Sequence, residues 1–284
     1  MDLLWLPFSL ATIFFYGVGQ VFAKETRTNV ASSNLLLILG LNMLIIWGVY
    51  WILLREPGSF STGTWLQGAA AAALSGFAYV AFYESIKHGK VSIVGTIVGA
   101  YAPWTVVLAV VFLEESMSMT EGIGVTMVVA SMLLFTYAVG DNGDKKTERL
   151  GILLAIAAMF LFGTSAAVAK DAIDNLGNTN FIGEYALIVP AIWLVYWLIT
   201  SKARFEMPKS NSRILELSML FLAMGGITYY LAIENGNVSI VSPVTNVYPI
   251  VTIAIANMRL KERLSKRQIV ALALLFASIP LFSI

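Results

Sequence analysis

The sequence predicts an all-α integral membrane protein whose ten transmembrane helices form two inverted five-helix repeats. Three observations predict it. Of 284 residues, 58% are hydrophobic and only 12% charged, about half the charge fraction of a soluble protein. Apolar stretches of about 20 residues, the length that crosses a bilayer, recur between charged or Gly/Asn/Pro-containing breaks. Passages of the first half return, in order, in the second.

The first half reads as spans over 3–23, 34–54, 65–86, 91–113 and 120–139. The second reads as 150–170, 181–200, 213–233, 238–258 and 266–283. REPGSFSTG, DNGDKKTER and SKARFEMPKSNSR interrupt the pattern after the second, fifth and seventh spans. KHGK and ENGN are short enough to make helical hairpins of their neighbours. Ten spans of about 20 residues leave only short connections, so no extramembrane domain is expected. A net charge of +1 offers no bulk attraction to nucleic acid. Cysteine is absent, which removes disulfides, thiolate metal sites and thiol nucleophiles. MDLLWLPFSL has no basic n-region, so a cleaved leader is not expected.

The repeats are explicit. FFYGVGQVFAK (14–24) returns as FLFGTSAAVAK (160–170), an offset of 146. GKVSIV (89–94) returns as GNVSIV (236–241) and LEES (113–116) as LKER (260–263), both at 147. Three ordered pairs at a near-constant offset mark a duplication. The first repeat is assigned to 1–140 and the second to 150–284, with 141–149 as the connecting loop. Five spans is an odd number, so the second copy crosses in the opposite direction. Inverted repeats are a mark of secondary transporters, with the substrate site at their interface near the midplane.

These passages, together with VSIVSPVTNVYPIVTIAIA (238–256), resemble the EamA-type repeat of the drug/metabolite transporter superfamily. The resemblance covers essentially the whole chain, twice over. It implies ten helices in two inverted bundles and alternating-access movement of small metabolites, often export of amino acids. It implies no particular substrate.

Alternating spans sort the 18 Lys and Arg residues by side. Only Arg55 and Lys170 fall on the side of the termini, and the other sixteen lie opposite. The positive-inside rule therefore puts both termini outside the cytoplasm, in a multi-pass protein of the cell membrane. The family resemblance implies the reverse, and here the charges are followed.

Charges and polar groups within spans need a reason. Lys24 and Lys170 close the first spans of the two halves and read either as a charged gate or as lysines snorkelling to headgroups. Gln20 lies deeper, with no headgroup to reach. Glu184 breaks the internal symmetry and reads as a site for a substrate ammonium or a proton, or as an interfacial partner of Lys170. Glu84 and Lys87 read as an intrahelical pair. Glu115 and Glu262 read as structural groups at helix ends. His88 reads as a solvated turn residue. Trp47, Trp51, Trp65, Trp193 and Trp197 read as interfacial anchors. Tyr16, Tyr79, Tyr101, Trp104, Tyr229 and Tyr248 fall in spans expected to face the pathway, where ring faces suit a cation or an aromatic group.

GNVSIVSPVTNVYPIV (236–251) carries two prolines in an apolar run. Pro243 and Pro249 free backbone groups that are tolerated at depth only against protein or water. With Pro103 in the first copy they are the expected hinges. Asn246 and Tyr248, with Tyr101 from the matching span, are the expected cavity residues, Asn246 the strongest.

The reading is a secondary carrier for a small metabolite, an amino acid or related amine, with export favoured. Uptake of a cation such as choline, uptake of a sugar, and a channel are the alternatives. One histidine, no cysteine and no paired-acid or HExxH spacing argue against an enzyme, and no Walker loop is present for a pump. No cofactor and no metal are expected. Partners are the substrate and the bilayer, and monomer and homodimer both stay open.

Overall fold

The computed structural model describes residues 3–26, 31–55, 61–89, 91–138, 149–201, 204–205, 212–260 and 266–282. Among them are twelve α-helices and a closing 3-10 turn, with no strand. The first half contributes α1 (Trp5–Thr26), α2 (Ser32–Leu54), α3 (Thr62–His88), α4 (Val91–Gly99), α5 (Tyr101–Phe112) and α6 (Met119–Ala138). The second contributes α7 (Arg149–Leu176), α8 (Asn178–Ser201), α9 (Ser212–Glu234), α10 (Val238–Thr245), α11 (Tyr248–Leu260) and α12 (Lys266–Ser278). Seven stretches are long and apolar enough to cross a membrane: 5–22, 32–54, 62–88, 93–112, 149–176, 178–201 and 213–234. Met119–Ser131, Val238–Thr252 and Ile269–Phe282 are apolar but shorter.

Local chemistry sets the helix ends. Ser61 caps α3 by accepting from the Thr64 amide at 3.1 Å. Ser118 and Glu121 form a reciprocal capping box that starts α6. Gly177, at φ 78°, ends α7 in a left-handed conformation that favours glycine, and α8 starts at the next residue. Side chains such as Ile45, Leu53, Val111, Ile199 and Phe276 are exposed on the outer surface, which suits lipid and not water.

The two halves pack through each other. α1 lies along α9 and α3 along α7, with α2 against α8 and α6 against α12. The α1–α9 pair is antiparallel. Thr12 donates to Thr228 at 2.9 Å, while Ser218 donates to the Gly19 carbonyl at 2.8 Å.

Bonds recur at duplicated positions. Trp47 Nε1 donates to the Ala223 carbonyl at 2.9 Å, and Trp193 Nε1 to that of Gly76 at 3.1 Å. Trp51 donates to Asn180 Oδ1 at 3.3 Å, and Trp197 to Asn34 Oδ1 at 2.6 Å. This corrects the expectation of interfacial anchors for three of the tryptophans. Trp47, Trp193 and Trp197 are 1%, 0% and 9% exposed. The reason is that an indole N–H can be satisfied by a carbonyl of a closely packed helix as well as by headgroups.

Candidate functional site

The helical stretches expected as spans four and nine are each broken at one place. α4 ends at Gly99 and α5 starts at Tyr101; α10 ends at Thr245 and α11 starts at Tyr248. Both breaks tighten into i to i−3 bonding, Ala100 to Ile97 at 3.1 Å and Val247 to Val244 at 3.3 Å. Pro103 and Pro249 fall in the first turns of α5 and α11, where a missing N–H costs no helical bond. Pro243 lies inside α10, two residues before its end. Asn246 is 5% exposed and its side-chain amide donates across the seam to the Gly99 carbonyl at 3.0 Å. It ties the two breaks together and is not an open ligand group in this state.

Tyrosines gather around these breaks. Tyr16 of α1 meets Tyr248 of α11 with ring centroids 5.6 Å apart. The duplicated pair, Phe162 of α7 and Tyr101 of α5, stands at 5.9 Å. Close backbone approach allows this. A Cβ on Gly17 would stand 3.3 Å from the Tyr248 carbonyl, and one on Gly163 2.8 Å from that of Tyr101. Tyr79 of α3 sits edge-on to Phe162 at 4.9 Å and to Trp193 at 5.3 Å. The Tyr229 hydroxyl of α9 shares a 2.8 Å hydrogen bond with Ser242.

Tyr16, Tyr79, Tyr101, Tyr229 and Tyr248 are all half-buried. The phenol groups of Tyr16, Tyr79 and Tyr101 lie within electrostatic range of one another. Those three hydroxyls bond to no described residue. Behind them Trp47, Phe181, Tyr185 and Tyr230 form a packed aromatic wall, with Tyr185 tied to Ser75 at 2.5 Å. The arrangement offers ring faces to a cation or aromatic group, and hydroxyls to polar groups beside it.

The charged candidates stand elsewhere. Glu184 lies against α3, where a Cβ on Gly68 would sit 1.8 Å from its Oε2. That oxygen is buried with no hydrogen-bond partner. Eleven residues separate Gly68 from Tyr79, about 16 Å along a helix. Lys170 pairs with Asp174 at 2.8 Å, so it is not the partner of Glu184. Lys24 lies within α1, its side chain outside the described residues. Gln20 is half-buried one turn beyond Tyr16 and bonds to no described residue. Glu84 pairs with Lys87 and also accepts from Tyr196. Trp104 donates to Thr164 at 3.2 Å and packs on Phe160.

Two features escape a reading by hydropathy and charge. One is the buried tryptophan pair, although WGVYW (47–51) and WLVYW (193–197) repeat at offset 146 and would have signalled it. The other is the contribution of Phe162 and Ser242, which carry no distinguishing chemistry of their own.

The family model described as the EamA-like transporter family matches residues 3–137 and again 149–284. The chain belongs to the EamA-like transporter family. It is thus a multi-pass membrane transporter of the drug/metabolite transporter superfamily, built from two repeats. A solved crystal structure aligns with a TM-score of 0.78 over 98% of this chain and 96% of its own, at 14% identity, a likeness of fold. No curated protein matches the sequence.

Proposed function

We propose that this EamA protein is a ten-span secondary carrier that moves a small amine-bearing metabolite, foremost an amino acid, across the cell membrane by alternating access. Export is the favoured direction, and its two repeats are inverted in the membrane. The substrate rests between the breaks of spans four and nine, against Tyr16, Tyr79, Tyr101, Tyr229 and Tyr248. One observation carries this reading: three hydroxyls without a partner among the described residues stand beside apolar ring faces at the junction of the repeats. Aromatic faces hold an ammonium through cation–π attraction, and broken helices at the repeat interface are where carriers bind substrate. Gln20 lies one turn beyond Tyr16 on the same helix.

A choline-like cation is the second reading, favoured by the absence of any charged side chain among the five tyrosines within the described residues. Ligand-induced thermal shifts of the purified protein over a metabolite library test both. Amino acids should raise the melting temperature in the parent, and raise it less in Tyr79→Phe and Tyr101→Phe. A response to quaternary amines alone would select the second reading.

A further inference from the structure

We propose that Glu115 is the latch of a gate on the membrane face that carries the chain termini, and that the structure is the state closed there. The inference rests on the alternating-access reading and adds the gating residue. Its carboxylate accepts from the first amides of α10, Val238 N at 2.9 Å and Ser239 N at 3.0 Å. Glu115 follows α5, in the first repeat, and α10 opens span nine in the second. The bonds therefore cross the repeat interface at the mouth of the seam.

This mouth lies at the termini. A Cβ on Gly236, two residues before α10, would stand 2.6 Å from Trp5, which packs edge-on to Phe282 with ring centroids 6.1 Å apart. Asn237 adds a longer contact to the Ser116 carbonyl at 3.5 Å.

The chemistry suits a releasable bond. The leading amides of a helix have no intrahelical acceptor, and the helix dipole favours an anion there. Water can take the place of the carboxylate only if it reaches the latch. A cleft of about 430 Å³ lies over it, lined by Glu114, Glu115, Lys170, Asp171, Asp174 and Asn237. Water therefore has a route to the Glu115 side of the latch, while Val238 and Ser239 are buried beneath it.

Packing is one-sided in the same sense. α10 packs on α5 and α6 of the other repeat, and deeper in the seam Asn246 adds its bond to Gly99. Its counterpart α4 has no comparable packing on α11 or α12 among the described residues. Among the described residues the seam is packed more closely at the termini face. Glu262, the repeat-related residue of Glu115, lies outside the described residues.

The test needs no substrate. Spin labels at Ser116→Cys and Asn235→Cys, in a chain without native cysteine, report the mouth by dipolar broadening in nanodiscs. The parent should show mainly the broadened, closed population. Glu115→Gln keeps the shape and removes the charge, and should lower the closed-to-open ratio at least about tenfold, the factor for one charge-assisted hydrogen bond. Glu114→Gln removes an equal charge that caps no described helix and should leave the ratio unchanged. An unchanged ratio in Glu115→Gln, or an equal change in both variants, would overturn the latch. Failure of the carrier reading would appear separately, as absent counterflow in the parent.

Discussion

Asn246 donates its side-chain amide to the Gly99 carbonyl at 3.0 Å, and the two residues stand 147 apart. That is the offset relating GKVSIV to GNVSIV and LEES to LKER. A bond between duplicated positions lies on the axis that exchanges the repeats, so the two helix breaks meet face to face. The tyrosines are grouped around that point.

The first prediction follows from this bond. Asn246→Leu removes a buried donor and leaves the Gly99 carbonyl, which lies at a helix break, without it. Thermal unfolding in detergent should show a loss of about 1–3 kcal/mol, while ligand affinity at the tyrosines stays within a few-fold of the parent. Loss of binding at unchanged stability would return Asn246 to the ligand site.

The tryptophan pair yields a second prediction. Trp47→Phe and Trp193→Phe each remove one indole donor to a helix carbonyl at a duplicated position. The acceptors keep their own helical bonds, so each change should cost about 0.5–1.5 kcal/mol plus lost packing. The two costs should match closely in denaturation experiments. A large difference would mean that the internal symmetry does not extend to energetics.

Hydropathy shows most of this fold because a bilayer leaves an unbranched choice: a long apolar helix or nothing. Ten apolar windows therefore match helices, or helix pairs, within three residues at the described ends, except that α7 runs six residues past its window to Leu176. The breaks of spans four and nine are legible too, since Pro103, Pro243 and Pro249 cannot donate. What hydropathy does not show is facing. Trp47 and a lipid-facing tryptophan contribute alike to an apolar average, and only Gly226, where a Cβ would stand 2.3 Å from the Trp47 ring, makes room for it. Asn246 is a comparable case: a polar group at depth needs a partner, and sequence alone does not say whether that partner is a ligand or a carbonyl.

Glu184 provides the third prediction. Its buried oxygen occupies the space that a Gly68 side chain would need. Gly68→Ala forces the carboxyl end of Glu184 to shift and should destabilise the protein modestly, by about 1 kcal/mol. Glu184→Ala in the same chain should restore most of that loss, a coupling read from a double-mutant cycle. Additive effects would place the carboxylate elsewhere.

Orientation provides the fourth. Sixteen of the 18 Lys and Arg residues lie opposite the termini, which the positive-inside rule assigns to the cytoplasm. An impermeant maleimide should label Ser116→Cys in intact cells and Arg204→Cys only after permeabilisation. The reverse pattern would invert the assignment.

The central claim is that the tyrosines at the two helix breaks hold the transported molecule. Counterflow in proteoliposomes tests it most directly, using a ligand identified by thermal shift. The parent should exchange that ligand saturably. Tyr79→Phe and Tyr101→Phe each delete a hydroxyl with no partner among the described residues, so melting temperatures should not move. Half-saturation should rise about 2- to 10-fold in each, the factor for one neutral hydrogen bond. Counterflow at the parent's half-saturation in both variants, or no counterflow at all in the parent, would contradict the account.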